Sequence, residues 1–425
     1  MYLKTLLNLV HPVKGFIYDA AALVADASQP NGYRLEVTLR PRKNSKGQCS
    51  GCGQRGGTYD TQAPRRFDFV PLWGLAVVLV YAMRRVNCRG CGVKVERVPW
   101  LEAGSKSPLT LAYEAFLAGW ARRMSWKQVA DVFWVKWDTV YRAVRCSVHW
   151  GLAHRDLGTV TAVGIDEVAH RKGHNYLTLV YQLNGNCRRL LYVAQGRTGR
   201  SLLGFFRMLK KSGVDAGASI RHVCTDMWQP YLKVIAKKLP GALHILDRFH
   251  IVANANKAID EIRAAEAKQM KAEGYEPVLH RSRWCLLKRK PNLTKKQRVR
   301  LKDLLQYQLK TTRAYLKVQA LHLLWEYVSP TWAGKHLDAW CRDVMRSRLE
   351  PLKRVARSVR KHRQLILNWF EARKQYSSGI VEGMNANVKL GFKRAYGFRT
   401  FDAAQVALYH QLGQLPQRPM THTFF

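Results

Sequence analysis

Acid is scarce in this chain beside base. Its 425 residues hold 29 Asp plus Glu against 71 Lys plus Arg, a formal net charge of +42 and a pI near 10.3. A body so charged repels itself unless a polyanion is its working partner, and nucleic acid is the obvious one. Long apolar runs are missing too. The longest, Val70 to Met83, contains Pro71 and runs into Arg84-Arg85, so it reads as strands. Neither a span of about 18 apolar residues nor an amphipathic anchor is present, which leaves no membrane partner to expect. The start, MYLKTLLNLVHPVKGF, lacks the apolar centre and small-residue cleavage site of a signal peptide. Nine cysteines in such a chain point to metal or free thiols in a reducing compartment rather than to disulfides. An intracellular, cytoplasmic protein is expected. Apolar content of 47%, with 13 Trp, 18 Tyr and 14 Phe, argues against general disorder, and the length suggests two to four domains.

The most specific short pattern is a pair of pairs, Cys49-Ser-Gly-Cys52 and Cys88-Arg-Gly-Cys91, each followed by glycine (Gly53, Gly92). A CxxC turn lets both sulfurs reach one ion at about 2.3 Å, and two such turns complete a tetrahedron. The 35 residues between the pairs exceed the usual ribbon spacing, so an inserted hairpin is expected. Cys49, Cys52, Cys88 and Cys91 are read as ligands of a structural Zn²⁺, against two unrelated redox pairs as the competing reading. Residues 1–100 would then form a β-rich zinc module with a basic rim (Arg40, Arg42, Lys43, Lys46, Arg55, Arg65, Arg66). From 101 to 158 the period becomes helical. Pro108 opens a helix through Trp120, Ser125 caps one that runs to Phe133, and Asp138 caps another after a short turn. Val129, Ala130, Val140 and Val144 would share a small core. That is the pattern of a helix-turn-helix presenting Thr139 and Arg142, with Lys127 and Lys136 beside them, to a DNA groove; helical packing alone gives the same pattern.

Thr161 to Tyr181, TAVGIDEVAHRKGHNYLTLVY, reads as a β-hairpin with Asp166 in its first strand. An acid there is costly to bury unless a cation meets it, either Lys or Arg in an ion pair or a divalent metal. Strands are expected at 160–168, 176–183, 188–195, 220–225 and 242–247, with helices at 201–212 and 229–239. Three hairpin strands followed by alternating helix and strand is the order of an RNase H-like α/β fold. Asp226 ends the fourth strand and can reach Asp166 if those strands are neighbours. Residues 257–375 are long, basic and helical, divided at Ser329-Pro330, and their one-signed charge suits phosphate contact or a solvated face. In 376–425, a helix over Ser377–Leu390 would put Glu382, Asn385 and Lys389 on one face and Ile380, Met384 and Val388 on another. Glu382 is then a third carboxylate for the sheet, or an ordinary exposed glutamate.

GIDE at 164–167, TD at 225–226, LDRFHI at 246–251 and SGIVEGMNANVK at 378–389, preceded by the cysteine pairs and the helical pair, resemble the ISL3 family of bacterial insertion-sequence transposases over nearly the whole chain. The resemblance implies a DDE triad on Asp166, Asp226 and Glu382. It implies a multidomain chain: zinc module, all-α helix-turn-helix, and an RNase H-like catalytic domain in two parts (159–256 and 376–425) interrupted by an all-α insertion (257–375). Two Mg²⁺ ions, with Mn²⁺ as substitute, would be held by the triad. The partners would be double-stranded DNA (terminal inverted repeats and target), met by Asn385 and Lys389 among others, and a second copy in a synaptic homodimer. The setting would be the bacterial cytoplasm, at the nucleoid. Asp247, in the LDRFHI block, matches without an assigned role. Two ions about 3.5–4 Å apart can activate a water or hydroxyl and neutralise a leaving oxygen, so three carboxylates are enough protein ligands for phosphodiester chemistry. An RNase H-like nuclease or resolvase, and a non-catalytic domesticated DNA-binding regulator, are the alternatives.

Overall fold

Apolar residues alternate along the N-terminal strands, as a sheet with one buried face requires. Leu35, Val37 and Leu39 are buried on one strand and Val77, Leu79, Tyr81 and Met83 on another. The computed structural model describes residues 3–105, 107–171, 173, 175–276, 278–376 and 378–419; Lys172 and His174 of the expected hairpin turn, and Ser377 at the head of the expected last helix, lie outside the described residues. The chain divides into two units, 1–156 with 390–425, and 157–389.

In the first unit α1 (Leu3–Val10) precedes β1 (Phe16–Ala25), β2 (Tyr33–Pro41), β3 (Gly47–Gln48), β4 (Arg55–Leu72), β5 (Leu75–Cys88) and β6 (Gly92–Val95). These six strands form one sheet of order β1-β2-β5-β4-β3, with β6 beside β5. The β4–β5 hairpin, turned at Trp73-Gly74, is the insertion expected between the cysteine pairs, and the Val70–Met83 run lies on its two arms. Trp100 fills the core edge-on to Phe16 and Tyr81, at centroid distances of 4.9 and 5.4 Å. Under it lies a buried ion pair, Arg84 Nη2 to Glu96 Oε2 at 2.7 Å, whose acid also accepts from the Tyr81 hydroxyl.

Three helices follow: α2 (Leu111–Ala121), α3 (Trp126–Val132) and α4 (Trp137–His154). The first begins later than Pro108, because Thr110 supplies the cap by accepting from the Tyr113 amide at 3.3 Å. Ser125 and Gln128 form the full capping box of α3. Asp138 is not a cap: Lys136 holds that position without a side-chain bond, and Asp138 lies inside the first turn, where its charge meets the positive end of the helix. Val129, Val140 and Val144 are buried as expected.

The second unit is built on β7 (Ala162–Arg171), β8 (Asn175–Asn184), β9 (Cys187–Gln195), β10 (His222–Thr225) and β11 (Leu243–Leu246), in the order β11-β10-β7-β8-β9. Each lies within three residues of its expected bounds. β7, β8 and β9 are antiparallel, while β10 runs parallel to both β7 and β11. On one face Val163 and Ile165 pack with Leu202 and Phe205 of α5 (Gly199–Lys211) and with Tyr231 and Ile235 of α7 (Gln229–Lys238), the short α6 (Ala216–Ser219) lying between these helices in sequence. After β11 come α8 (Arg248–Ala272), α9 (Arg283–Leu287), α10 (Lys295–Leu304), α11 (Lys310–Leu323), α12 (Pro330–Arg346), α13 (Glu350–Lys361) and α14 (Arg363–Glu371). These helices share a core of their own that continues into Ile245 and Leu246 of β11. On the cationic side of α13, Arg354 and Arg357 are ion-paired with Glu261 and Glu350. The boundary between the units falls within α15 (Ser378–Arg394).

Candidate active site

Strand register sets this site. Thr225 of β10 stands opposite Ile165 of β7 on one side and Leu246 of β11 on the other. The next residue of each strand is an acid: Asp166, Asp226 and Asp247. Neighbouring strands lie about 4.8 Å apart, so the three acids form a row where the parallel pairing stops, at the carboxyl ends of β10 and β11. That is the edge of an open α/β sheet where ligands bind.

Asp226 is half-buried, and its Oδ1 accepts from the Trp228 amide at 3.0 Å. Asp247 is 7% exposed and caps α8 by accepting from the Phe249 amide at 2.7 Å. Its own N–H donates to the Thr225 carbonyl at 2.8 Å, and His250 Nε2 lies 3.6 Å from its Oδ2. Asp166 accepts from the Glu167 amide at 2.7 Å and from Asn385 Nδ2 of α15 at 2.5 Å. The Asn385 Oδ1 in turn accepts from the buried Tyr181 hydroxyl at 2.7 Å.

α15 reaches the sheet because β7 offers it a glycine. A Cβ on Gly164 would lie 2.6 Å from Val381 Cγ2, too close to exist. The buried side of α15 is Val381, Met384, Asn385 and Val388, and the outer side carries Glu382 and Lys389. Asn385 therefore departs from the expected grouping. It is 7% exposed, with both ends of its amide bonded inside the protein, so it holds Asp166 rather than facing outward with Glu382 and Lys389.

Burial pushes the Asp166 carboxyl up from its ordinary range, and the charges of Asp226 and Asp247 push it further, against the Glu167 amide and His250. Asp226 is raised by burial, with Asp247 adding to it. Glu382 is raised by burial and then by Asp247, the strongest charge acting on it, while His250, Arg248 and Arg289 oppose. Mutually repelling, desolvated carboxylates gain most from a divalent cation, and an all-oxygen donor set suits a hard ion such as Mg²⁺. Among the described residues only the four cysteines have ligand atoms all within 4.8 Å of one another, so the acids are spread wider than a one-ion cage.

The cysteine cluster fits a different ion. Cys52 and Cys88 Sγ are 3.4 Å apart, well beyond a disulfide bond of about 2.05 Å. A tetrahedron with about 2.3 Å bonds has edges near 3.8 Å, within the 4.8 Å envelope of all four sulfurs. Gly53 (φ +75) and Gly92 (φ +70) close the two turns in the left-handed region. Cys88 is lowered to about 7 by the Cys52 thiol and the amides of Gly90 and Cys91, while Cys91 is pushed up to about 12 by Cys52 and burial, so the thiols titrate as one cluster. The cluster is compatible with zinc.

Of the residues expected to meet DNA, Lys127 is exposed and ion-paired with Asp131 at 3.0 Å, Lys136 and Arg142 are exposed, and Thr139 is partly covered. No helix among the described residues is long and apolar enough to cross a membrane. Sequence reasoning left the carboxylate of Asp247 without a place in the row, although ILD repeats the strand-then-acid pattern of CTD.

The family model described as a transposase, that of the ISL3 DDE transposases, matches residues 163–408, more than half of the chain. The transposase of insertion sequence element IS1001 from Bordetella parapertussis is 29% identical over 371 residues, covering 87% of this chain and 89% of the relative. That of IS1557 from Mycobacterium tuberculosis is 28% identical over 421 residues, covering 92% of each. Among solved structures, the Drosophila P element transposase strand transfer complex gives a slight likeness, with a TM-score of 0.37 at 11% identity over 72% of this chain and 92% of that one. The chain belongs to the ISL3 family of transposases.

Proposed function

We propose that this transposase cuts and joins DNA with a DDE triad of Asp166, Asp226 and Glu382 holding two Mg²⁺ ions, for which Mn²⁺ can substitute, at the terminal inverted repeats of its insertion sequence. The observation that carries the reading is the register that sets Asp166 beside Asp226, with α15 tied to Asp166 through Asn385, inside the stretch shared with the family. When bound, the ions would supply an activated water or 3′-hydroxyl and a neutralised leaving oxygen for in-line displacement. The chain's own residues do the orienting. The Glu167 amide and the Asn385 side chain aim the two oxygens of Asp166, and the Trp228 amide aims Asp226. Burial that raises these carboxyls would make their hold on a cation strengthen with pH. No covalent protein–DNA intermediate is required.

Residues 159–256 and 376–425 would form the RNase H-like catalytic domain, and 257–375 an all-α insertion that grips phosphate. Residues 101–158 would be a helix-turn-helix meeting the repeats through Lys127, Lys136, Thr139 and Arg142, and 1–100 a module folded around Zn²⁺ on Cys49, Cys52, Cys88 and Cys91. Lys389, exposed seven residues beyond Glu382, would meet the phosphate of the end being cut. A net charge of +42 supports binding to double-stranded DNA whose affinity falls steeply with salt. Two ends are joined together, so a homodimer assembles on them, in the bacterial cytoplasm at the nucleoid.

The test incubates the full chain and Mg²⁺ with DNA bearing the element's ends. Wild type should cleave and then join through a free 3′-hydroxyl, and Glu382→Gln should bind but do neither. Cleavage without joining would reduce the protein to a nuclease, and joining by Glu382→Gln at the wild-type rate would remove Glu382 from the triad.

A further inference from the structure

Asp226 lies one residue past the last pair of β10, so the sheet ladder does not aim its carboxylate. The Trp228 amide does, at 3.0 Å, and Trp228 is itself gripped from two sides by one residue. The indole Nε1 donates to the Arg197 carbonyl at 2.8 Å, and the Arg197 guanidinium lies 4.7 Å from the indole centroid. That guanidinium also lies over the Tyr176 ring, 4.2 Å from its centroid, and its Nη1 is 3.5 Å from Glu167 Oε1. Two aromatic rings and a carboxylate around one cation hold a planar guanidinium as they could not hold an ammonium.

The backbone that delivers Arg197 is pinned as well. Gly196 turns the chain at the end of β9 with φ +84. Its N–H donates to the Tyr176 carbonyl at 2.7 Å and its carbonyl accepts from the Thr178 hydroxyl at 2.6 Å. Glu167 leaves β7 on the opposite face from Asp166, and its second oxygen is buried without a hydrogen-bond partner. Arg197 is thus the charge that lets it stay there.

We propose that Arg197 is a positioning residue for Asp226: by clamping the Met227-Trp228 turn against β8, it aims the Asp226 carboxylate at the bound cation. This rests on the reading of Asp226 as a metal ligand. Removing a partner that orients a metal ligand weakens the metal by about 10–100-fold.

The experiment titrates Mn²⁺ into the full chain bound to DNA bearing the element's ends, reading free Mn²⁺ by electron paramagnetic resonance, and separately measures cleavage against Mg²⁺ concentration. Arg197→Ala should weaken Mn²⁺ by about tenfold or more, with cleavage recovering at high metal and DNA affinity unchanged. Arg197→Lys, which keeps the charge but not the stacking plane, should fall between. Tighter Mn²⁺ in Arg197→Ala would mean that only charge was lost, and would overturn the clamp. So would reduced DNA affinity with unchanged Mn²⁺, which would make Arg197 a phosphate contact. If Arg197→Ala fails to fold, Tyr176→Leu removes one stacking face and should weaken Mn²⁺ by about threefold; no shift overturns the proposal. Wild type that binds Mn²⁺ but joins no DNA overturns the proposed strand-transfer reading alone, and active wild type with an unshifted Arg197→Ala overturns the clamp alone.

Discussion

Substituting Gly164 by alanine tests whether the docking of α15 on β7 sets the third acid. The new Cβ would stand 2.6 Å from Val381 Cγ2 and 3.1 Å from Leu183 Cδ1. Carbon atoms in contact prefer about 3.5–4.0 Å, so Val381 must retreat by about 1 Å. Gly164 is held in register on both sides, opposite Tyr181 and Cys224, so the strand is the poorer choice for moving. The helix moves instead, and Glu382 is the residue next to Val381. Overpacking of this kind costs about 1–3 kcal/mol of stability, a small loss beside the catalytic one. A misplacement near 1 Å costs about 100-fold in rate. Single-turnover cleavage of labelled end DNA should therefore fall about 100-fold in Gly164→Ala, with gel-shift affinity for the same DNA unchanged. Adding Val381→Ala removes the clashing methyls and should restore most of the lost rate, a coupling visible only if the two residues touch. Wild-type cleavage by Gly164→Ala, or a double variant no faster than the single, would refute the reasoning.

Glu96→Ala should destabilise the first unit by about 3–5 kcal/mol in urea unfolding, because it strands Arg84 as an unpaired buried cation; a loss below about 1 kcal/mol would contradict the pairing. Burial pushes the Glu114 carboxyl from 4.5 up to about 7. Between those values the folded state keeps a proton that the unfolded chain releases, so stability should fall as pH rises through that window and level off above it. Glu114→Gln should remove that slope and be more stable than wild type at about pH 8 by about 3 kcal/mol, as read by thermal unfolding. Atomic absorption should find one zinc ion per chain, lost in Cys49→Ser together with much of the DNA affinity; full affinity without zinc would separate the cluster from binding.

Much of the second unit was legible because its strands are short, apolar and bounded by turns. Residues 220–225 and 242–247 announce buried strands, with Asp226 directly after the first and Asp247 closing the second. What a linear reading cannot supply is register. Only the pairing of Thr225 with both Ile165 and Leu246 brings Asp247 into the row with Asp166 and Asp226. Periodicity on α15 grouped Asn385 with Glu382 and Lys389, since the three lie within one arc of the helix. The structure rotates that arc so that Asn385 faces Asp166 and Tyr181, because Gly164 lets Val381 in and turns the helix with it. The Asp138 cap failed for a similarly local reason: α4 starts two residues earlier, at Trp137 after Lys136. The grip of Arg197 on Trp228 links residues about 30 positions apart, and no spacing rule reaches that far.

The central claim is that Asp166, Asp226 and Glu382 share one pair of ions. Anomalous scattering from Mn²⁺ in the DNA-bound protein tests it most directly. The account predicts two peaks about 3.5–4 Å apart, with oxygens of all three side chains at about 2.2 Å from one or the other. Two occupied peaks with the Glu382 carboxylate turned away from both would contradict it.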